Sequence, residues 1–229
     1  MPDSIAITNA VRIKVCCIAS AEEAALAVSL GASAIGLVSH MPSGPGVISE
    51  ARIAAMAPTV PAGVESFLLT SLHDAEAIAA QHARCATTTV QLVDHLPVRT
   101  LTAVRALLPT VRLVQVVHVV DEQSVEYAAQ VAPHVDAILL DSGNVSLAVK
   151  ELGGTGRTHD WQLSRRIRDV VAVPVWLAGG LRAHNVREAI ETVRPYGLDV
   201  CTGVRTQGAL DAEKLAAFLA ACMDACTGA

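Results

Sequence analysis

Eight short apolar runs alternate with eight longer amphipathic segments along this chain of 229 residues, and few folds accommodate such an alternation. The apolar runs predict strands over residues 12–18, 34–40, 64–71, 88–94, 111–119, 135–141, 173–180 and 198–203. The amphipathic segments predict helices over residues 21–31, 49–57, 73–83, 98–108, 122–132, 160–170, 185–193 and 211–225. Repeated strand–helix units imply parallel strands joined by right-handed crossovers.

The count, spacing and total length of these units favour an α/β fold with a single domain, a (β/α)8 or TIM barrel over residues 1–229. Residues 1–11 would precede the first strand as an N-terminal extension. The alternative is an open doubly wound sheet. Hydrophobic residues make up 52% of the chain but aromatic residues only 3%, so the core must be built mainly from Ala, Val, Leu and Ile. That composition suits parallel strands covered on both faces.

Charge and composition argue against several classes of partner. The net charge is −5, and neither a basic cluster nor many aromatic side chains are present, so a nucleic-acid partner is not expected. No apolar run reaches the roughly 18 residues that span a bilayer, and the first residues lack a secretory signal, which predicts a cytoplasmic protein without a membrane partner. The six cysteines include no Cys-x-x-Cys pair and the eight histidines are scattered, which predicts free thiols and no metal site.

The predicted barrel directs attention to the carboxyl ends of its strands, where barrel enzymes place their active sites. Strands seven and eight end in small residues, Gly179 and Gly180 in one and Thr202 and Gly203 in the other. Backbone N–H groups at two such neighbouring strand ends can hold a phosphate dianion. Tight turns are the alternative, but two adjacent small-residue ends favour phosphate.

Two reactive side chains also fall at predicted strand ends. Cys16 ends the first strand, and Lys14 has the same strand parity, so its ammonium could lower the pKa of the Cys16 thiol. Cys16 could be a nucleophile, a base or a packed core residue. Alternation lets only one of Cys16 and Cys17 face the interior, and a one-residue bulge would exchange them.

Asp141 ends the sixth predicted strand after a run of apolar residues. It is either a residue of the following loop that caps a helix or a catalytic acid or base. Partial burial would raise the pKa of its carboxyl group into the range useful for a general acid. The glycine-rich stretch that follows contains Gly153, Gly154, Thr155 and Gly156, and so much bare backbone predicts close approach to a ligand.

With these residues in place, the chain resembles the phosphoribosylanthranilate isomerase family of tryptophan biosynthesis over about residues 12–220. The resemblance depends on the segments KVCCI, VQL, LLDS, GGTGRTHDW, LAGGLRAHNVREAI, RPYGLDVCTGV and KLAAF. The glycine-rich segment, with its residues in this order, is the most specific of them.

The resemblance implies an Amadori rearrangement of a small phosphorylated sugar without a cofactor. It implies that Cys16 is the general base that takes the proton from sugar C2, and that Asp141 is the general acid that protonates the ring oxygen. It also places the phosphate at Gly179, Gly180, Thr202 and Gly203, and the glycine-rich loop over the substrate.

The chain departs from the family at several positions. Cys17 stands where the family has glycine, and Arg205 stands where the family has glutamate. The family's Ser-Pro-Arg motif after strand two, whose arginine pairs with the anthranilate carboxylate, has no arginine here. Further possible substrate contacts are Lys14, His40, Gln91, His118 and Arg205. The alternatives are therefore a paralogue that isomerises or binds a different phosphosugar, or a non-catalytic barrel that binds a phosphorylated ligand.

Overall fold

The computed structural model describes residues 11–143, 152 and 156–227, and its eight parallel strands form a closed barrel. The barrel strands are β1 (Arg12–Val15), β2 (Ala34–Val38), β3 (Glu65–Thr70), β4 (Thr89–Leu92), β5 (Arg112–His118), β6 (Ala137–Asp141), β7 (Val175–Leu177) and β8 (Gly197–Val200). The helices are α1 (Ala21–Ser29), α2 (Glu50–Met56), α3 (Ala75–Cys85), α4 (Val98–Leu107), α5 (Glu122–Val131), α6 (Trp161–Val170), α7 (Val186–Val193) and α8 (Ala212–Thr227). The predicted (β/α)8 barrel is confirmed, and the predicted extension, apart from Val11, lies outside the described residues.

The strands that form the mouth are shorter than predicted. β1 ends at Val15 because Cys17 adopts a left-handed backbone conformation, with φ of 62°. β7 ends at Leu177, before Gly179 and Gly180, whose φ angles of 83° and 64° are incompatible with a strand. After β8 the chain forms a short 3-10 turn and an unpredicted two-stranded hairpin, β9 (Arg205–Thr206) and β10 (Ala209–Leu210).

The helix starts follow the capping chemistry of the sequence. Ser20, Ser49, Asp74 and Asp121 each accept a backbone N–H of the first turn that follows. Asp160 accepts hydrogen bonds from the N–H groups of two residues of α6. Each cap satisfies donors that the helix itself leaves without a partner, which fixes where the chain turns from a loop into a helix. In the part of the chain that the structure describes, no helix is both long and apolar enough to cross a membrane.

The interior of the barrel is a separate, smaller core inside the ring of strands. Its largest side chain is Trp176 of β7, which meets the Phe67 ring edge-on with centroids 5.8 Å apart. Gly197 of β8 lies beside Trp176, and a Cβ atom at this position would come within 2.5 Å of the indole ring. The glycine therefore makes room for the largest residue of the interior.

We expect Gly197→Ala to lower the free energy of unfolding by about 1–3 kcal/mol, because the added methyl group would overpack the barrel interior. Urea denaturation monitored by circular dichroism would measure this change. Trp176→Phe should relieve the clash, so the double variant should lose less stability than the sum of the two single variants. Additive losses would contradict the proposed contact.

Candidate active site

A cavity opens at the mouth of the barrel, where the strands end. The residues that line it are Cys16, Cys17, Val38, Met41, Ser43, Gly44, Pro45, Leu69, Gln91, Val93, Asp141, Leu152, Gly156, Ala178, Gly179, Gly180, Leu181, Asp199, Cys201 and Thr202. The ends of β1 and β6, which are far apart in sequence, thus contribute Cys16 and Asp141 to one cavity.

Beneath this cavity, Lys14 of β1 forms a buried ion pair with Asp199 of β8. Lys14 Nζ lies 2.7 Å from Asp199 Oδ2, and the lysine side chain has no exposed surface. Burial disfavours the ammonium, but Asp199 and the neighbouring thiols outweigh that cost and raise the pKa of Lys14 to about 12. The floor of the site therefore carries a permanent positive charge, two residues before Cys16.

Cys16 has the properties of an activated thiol. It is buried, and its pKa is lowered by a hydrogen bond from the Cys17 thiol and by the ammonium of Lys14, against the opposing effect of burial. The same contact with Cys16, together with Cys201 and burial, raises the pKa of Cys17. Of the two adjacent thiols, Cys16 is therefore the more acidic.

The prediction that only one of the two adjacent cysteines faces the interior is wrong. Strand alternation ends at Val15, and the left-handed backbone of Cys17 turns its side chain to the same cavity as Cys16. A residue other than glycine in this conformation costs about 1–2 kcal/mol. The Sγ atoms of Cys17 and Cys201 lie 2.9 Å apart.

The loop between β2 and α2 packs directly against Cys17. The Cys17 thiol lies 3.6 Å from the carbonyl oxygen of Pro45, and a Cβ atom on Gly46 would overlap the Cβ atom of Cys17. That Cβ atom would also lie 2.9 Å from the Cα atom of Cys17, and Gly46 has φ of 79°, so position 46 can carry a side chain only if the loop shifts.

Asp141 is the second candidate for proton transfer. Burial raises the pKa of its carboxyl group to about 6, with a smaller contribution from Asp199, while the Ser142 N–H, which donates to Oδ1 over 2.7 Å, and Lys14 act in the opposite sense. This carboxyl group therefore holds its proton up to about pH 6, whereas Cys16 has a pKa below that of an ordinary cysteine, so the two groups are shifted in opposite directions.

The predicted phosphate-binding residues fall at one side of the mouth. Gly179, Gly180 and Thr202 line the cavity, whereas Gly203 packs behind it against the carbonyl oxygen of Leu181. A Cβ atom on Gly180 would lie 2.6 Å from the backbone of Arg157 and Thr158, so this glycine is needed for the returning loop to approach the mouth. Of the predicted substrate loop, Gly156 lines the cavity, while Gly153, Gly154 and Thr155 lie outside the described residues.

The five possible substrate contacts have different environments. Gln91 lines the cavity, is 4% exposed, and its Oε1 accepts no hydrogen bond from the described residues. Lys14 lies beneath the floor. His40 is exposed, and the buried His118 directs Nε2 to the Val93 carbonyl oxygen at 2.9 Å; neither lines the cavity.

Arg205 also lies outside the cavity lining. Its guanidinium faces Glu23 and the backbone carbonyls of Cys16 and Cys17 rather than the cavity. Sequence reasoning missed Asp199 and Met41, whereas the loop segment that contains Ser43, Gly44 and Pro45 was a candidate to replace the missing arginine. Asp199 could have been found from the sequence, because it is an acidic residue within the apolar eighth strand, which must pair with the strand of Lys14 to close the barrel. Among the described residues no group of three or more His, Cys, Asp or Glu is arranged to hold a metal ion.

Comparison with known proteins connects this cavity to one enzyme family. The family model for N-(5'phosphoribosyl)anthranilate (PRA) isomerase matches residues 13–221. N-(5'-phosphoribosyl)anthranilate isomerase 2 of Methanosarcina mazei is 35% identical, over 91% of this chain and 92% of its own length. The enzyme of the same name from Halobacterium salinarum is 36% identical, over 91% of this chain and 94% of its own.

Solved structures agree with this assignment. Phosphoribosyl anthranilate isomerase from Thermotoga maritima superposes with a TM-score of 0.78 and 29% identity, covering 93% of this chain and 99% of that one. A phosphoribosyl anthranilate isomerase in complex with reduced 1-(o-carboxyphenylamino)-1-deoxyribulose 5-phosphate superposes with a TM-score of 0.76 and 28% identity, with the same coverage. From the matched family model and the full-length relatives, the chain belongs to the phosphoribosylanthranilate isomerase family.

Proposed function

We propose that this protein isomerises N-(5'-phosphoribosyl)anthranilate to 1-(o-carboxyphenylamino)-1-deoxyribulose 5-phosphate in the cytoplasm. The observation that carries the proposal is the meeting of Cys16 and Asp141 in one cavity with pKa values shifted in opposite directions. One group is set to accept a proton and the other to donate one. Membership of the phosphoribosylanthranilate isomerase family indicates which reaction this acid–base pair would catalyse.

In the proposed mechanism, Asp141 donates its proton to the furanose ring oxygen. The bond between C1 and that oxygen breaks, and the nitrogen lone pair forms a C1=N bond, which leaves a protonated imine. The Cys16 thiolate then takes the proton from C2, the electrons of that C–H bond form a C1=C2 double bond, and the π electrons of the C1=N bond return to nitrogen. The resulting enol tautomerises to the amino-ketose.

The barrel floor supports both proton transfers. Lys14 favours the thiolate form of Cys16, since its buried ammonium lowers the pKa of that thiol, while its ion-pair partner Asp199 acts in the opposite sense with a smaller effect. Burial keeps the Asp141 carboxyl group neutral at a pH where an exposed aspartate would be ionised. A matched acid and base of this kind contributes about 10²–10⁴-fold each to the rate.

The sugar-phosphate end of the substrate would lie against the small residues of β7 and β8. Gly179, Gly180 and Thr202 supply bare backbone and a hydroxyl there, and Gly156 brings the glycine-rich loop to the same side. Gly203 would act by allowing the close packing of this strand end on Leu181. Gln91 lines the cavity, and its buried amide oxygen accepts no hydrogen bond from the described residues, so it would accept one from a sugar hydroxyl.

The aromatic end differs most from the family. Aligning Pro45 with the proline of the Ser-Pro-Arg motif puts Gly46 at the position of the arginine, and Cys17 occupies the adjacent space. Among the described residues, the cavity is lined by the carboxyl groups of Asp141 and Asp199 and by no lysine or arginine side chain. This observation favours, as the second candidate function, isomerisation of a related phosphoribosylamine whose aryl group lacks the carboxylate.

Fresh phosphoribosylanthranilate should lose its anthranilate-type fluorescence when the purified protein is added. Cys16→Ala should lower kcat by about 10²–10⁴-fold, since it removes the base. Cys226→Ala, which removes a half-buried thiol of α8, should leave turnover unchanged. Equal turnover by the wild type and Cys16→Ala would overturn the role of Cys16, and no turnover by the wild type would move the assignment to the second candidate.

The raised pKa of Asp141 predicts a pH-dependent stability. The folded protein holds this proton up to about pH 6, whereas the unfolded chain releases it near pH 3.8. The wild type therefore loses stability from this group as the pH rises through that window, and Asp141→Asn does not. We expect the stability of Asp141→Asn relative to wild type to increase by about 2 kcal/mol between pH 4 and pH 7 in urea denaturation. Parallel pH profiles would contradict the raised pKa.

Restoring the family residues at the aromatic end should improve binding of the anthranilate substrate. In the double variant Cys17→Gly with Gly46→Arg, loss of the Cys17 side chain gives the loop room to shift and relieve the left-handed backbone at position 46. The new guanidinium can then pair with the carboxylate, and KM should fall by about ten- to a hundredfold. Gly46→Arg alone should not improve KM, because Cys17 occupies the space. Cys17→Gly with Gly46→Gln is the uncharged control, and an equal gain from it would show that charge is not the cause.

A further inference from the structure

We propose that Arg205 is a positioning residue that holds the turn carrying Cys16 in its active geometry by binding the carbonyl oxygens of Cys16 and Cys17. The inference rests on the proposed role of Cys16 as the base. It assigns Arg205 a role outside the substrate, in place of the substrate contact expected from its position in the sequence.

The contacts of Arg205 form a two-sided clamp. Nη2 donates to the Cys17 carbonyl oxygen at 2.6 Å and to the Cys16 carbonyl oxygen at 3.1 Å. Nη1 lies 3.1 Å from Glu23 Oε1 and 2.8 Å from the carbonyl oxygen of Gly208. The side chain of Arg205 is only 7% exposed, so these bonds are formed away from water.

Glu23 fixes the other side of the clamp. Its carboxylate also accepts the N–H groups of Ala19 and Leu210. The carboxylate thereby ties the start of α1 and the β9–β10 hairpin to the guanidinium. These contacts fix the orientation of the Arg205 guanidinium relative to the carbonyls of Cys16 and Cys17. A planar guanidinium can keep all these hydrogen bonds in one fixed geometry, whereas a flexible lysine ammonium would not.

The turn of residues 16–18 needs such a partner, because the neighbouring barrel strands accept hydrogen bonds from its N–H groups and leave its carbonyl groups to other donors. Cys16 N–H donates to Val200 and Ile18 N–H donates to Gly36, each on a strand next to β1. Among the described residues, the hydrogen bonds accepted by the Cys16 and Cys17 carbonyls come from Arg205. Between the two tethered N–H groups stands Cys17, with φ of 62°, a conformation that only glycine adopts freely.

The two departures from the family at positions 17 and 205 therefore form a pair. With glycine at 17, the turn can take its left-handed form without support. With cysteine there, the turn is held in that form by a cation that binds its carbonyls, and a glutamate at 205 would instead repel them. Loss of Arg205 should let Cys17 relax toward an ordinary conformation and move Cys16 relative to the sugar.

The first test measures turnover of phosphoribosylanthranilate by Arg205→Gln. We expect kcat to fall by about 10²-fold with KM changed by less than about threefold, since a misplacement of about 1 Å costs a catalytic group that much rate without removing a binding contact. Added guanidinium ion should partly restore the kcat of Arg205→Ala. Arg187→Gln, which removes an exposed arginine of α7, is the matched control and should retain wild-type kcat. An unchanged kcat for Arg205→Gln would overturn the proposal.

The second test separates positioning from general destabilisation. In a Cys17→Gly background, Arg205→Gln should lower kcat by less than about threefold, because the turn no longer depends on the clamp. The same loss in both backgrounds would mean that Arg205 acts through overall folding, and would overturn the proposal. Arg205→Lys serves in both backgrounds should the glutamine variant fail to fold.

A third readout does not depend on turnover. On a Cys17→Ser, Cys201→Ser background, the rate at which iodoacetamide alkylates Cys16, followed by mass spectrometry across pH, reports the position and ionisation of that thiol. Arg205→Gln should shift this pH profile, and an identical profile would overturn the clamp. If the wild type does not turn over the anthranilate substrate, the proposed function is wrong. The pH profile of Cys16 alkylation still tests the role of Arg205 in that case.

Discussion

The ion pair between Lys14 and Asp199 underlies both the barrel and its chemistry. It joins β1 to β8, the two strands whose pairing closes the ring, and it does so inside the barrel where neither charge could remain alone. Removing one partner of such a buried pair costs about 3–5 kcal/mol, because the other is left without compensation. The same ammonium lowers the pKa of Cys16, so the interaction that fixes the closing register also prepares the proposed base.

The repeating architecture could be predicted from the sequence because each unit carries its own local signals, an apolar run and a capped amphipathic helix. The strand ends could not, since they depend on partners elsewhere in the chain. β1 stops at Val15 because the chain turns into the left-handed conformation of Cys17, whose carbonyl accepts a hydrogen bond from Arg205, almost two hundred positions later. β7 stops early because the chain around Arg157 and Thr158 returns against Gly180.

The same distinction explains which site residues were found. Asp141 and Gln91 could be placed at the mouth because strand position and parity together direct a side chain inward, whereas Cys16 lies one residue beyond the end of β1. His118 has inward parity too, but its imidazole binds the Val93 carbonyl. Arg205 follows a 3-10 turn, where parity no longer applies, and the nearest carboxylate and carbonyls determine its direction.

The departures from the family at positions 17, 46 and 205 lie on one side of the proposed base and are physically connected. The Cβ atom of Cys17 excludes a side chain at Gly46, while its carbonyl binds Arg205, so a change at any one of the three constrains the others. None of them alters the barrel floor, where the pairing of Lys14 with Asp199 and the burial of Asp141 set the two proton affinities. Because recognition of the aryl group and transfer of protons depend on different layers of the barrel, the loop layer can change its ligand preference while the acid and base keep their environments.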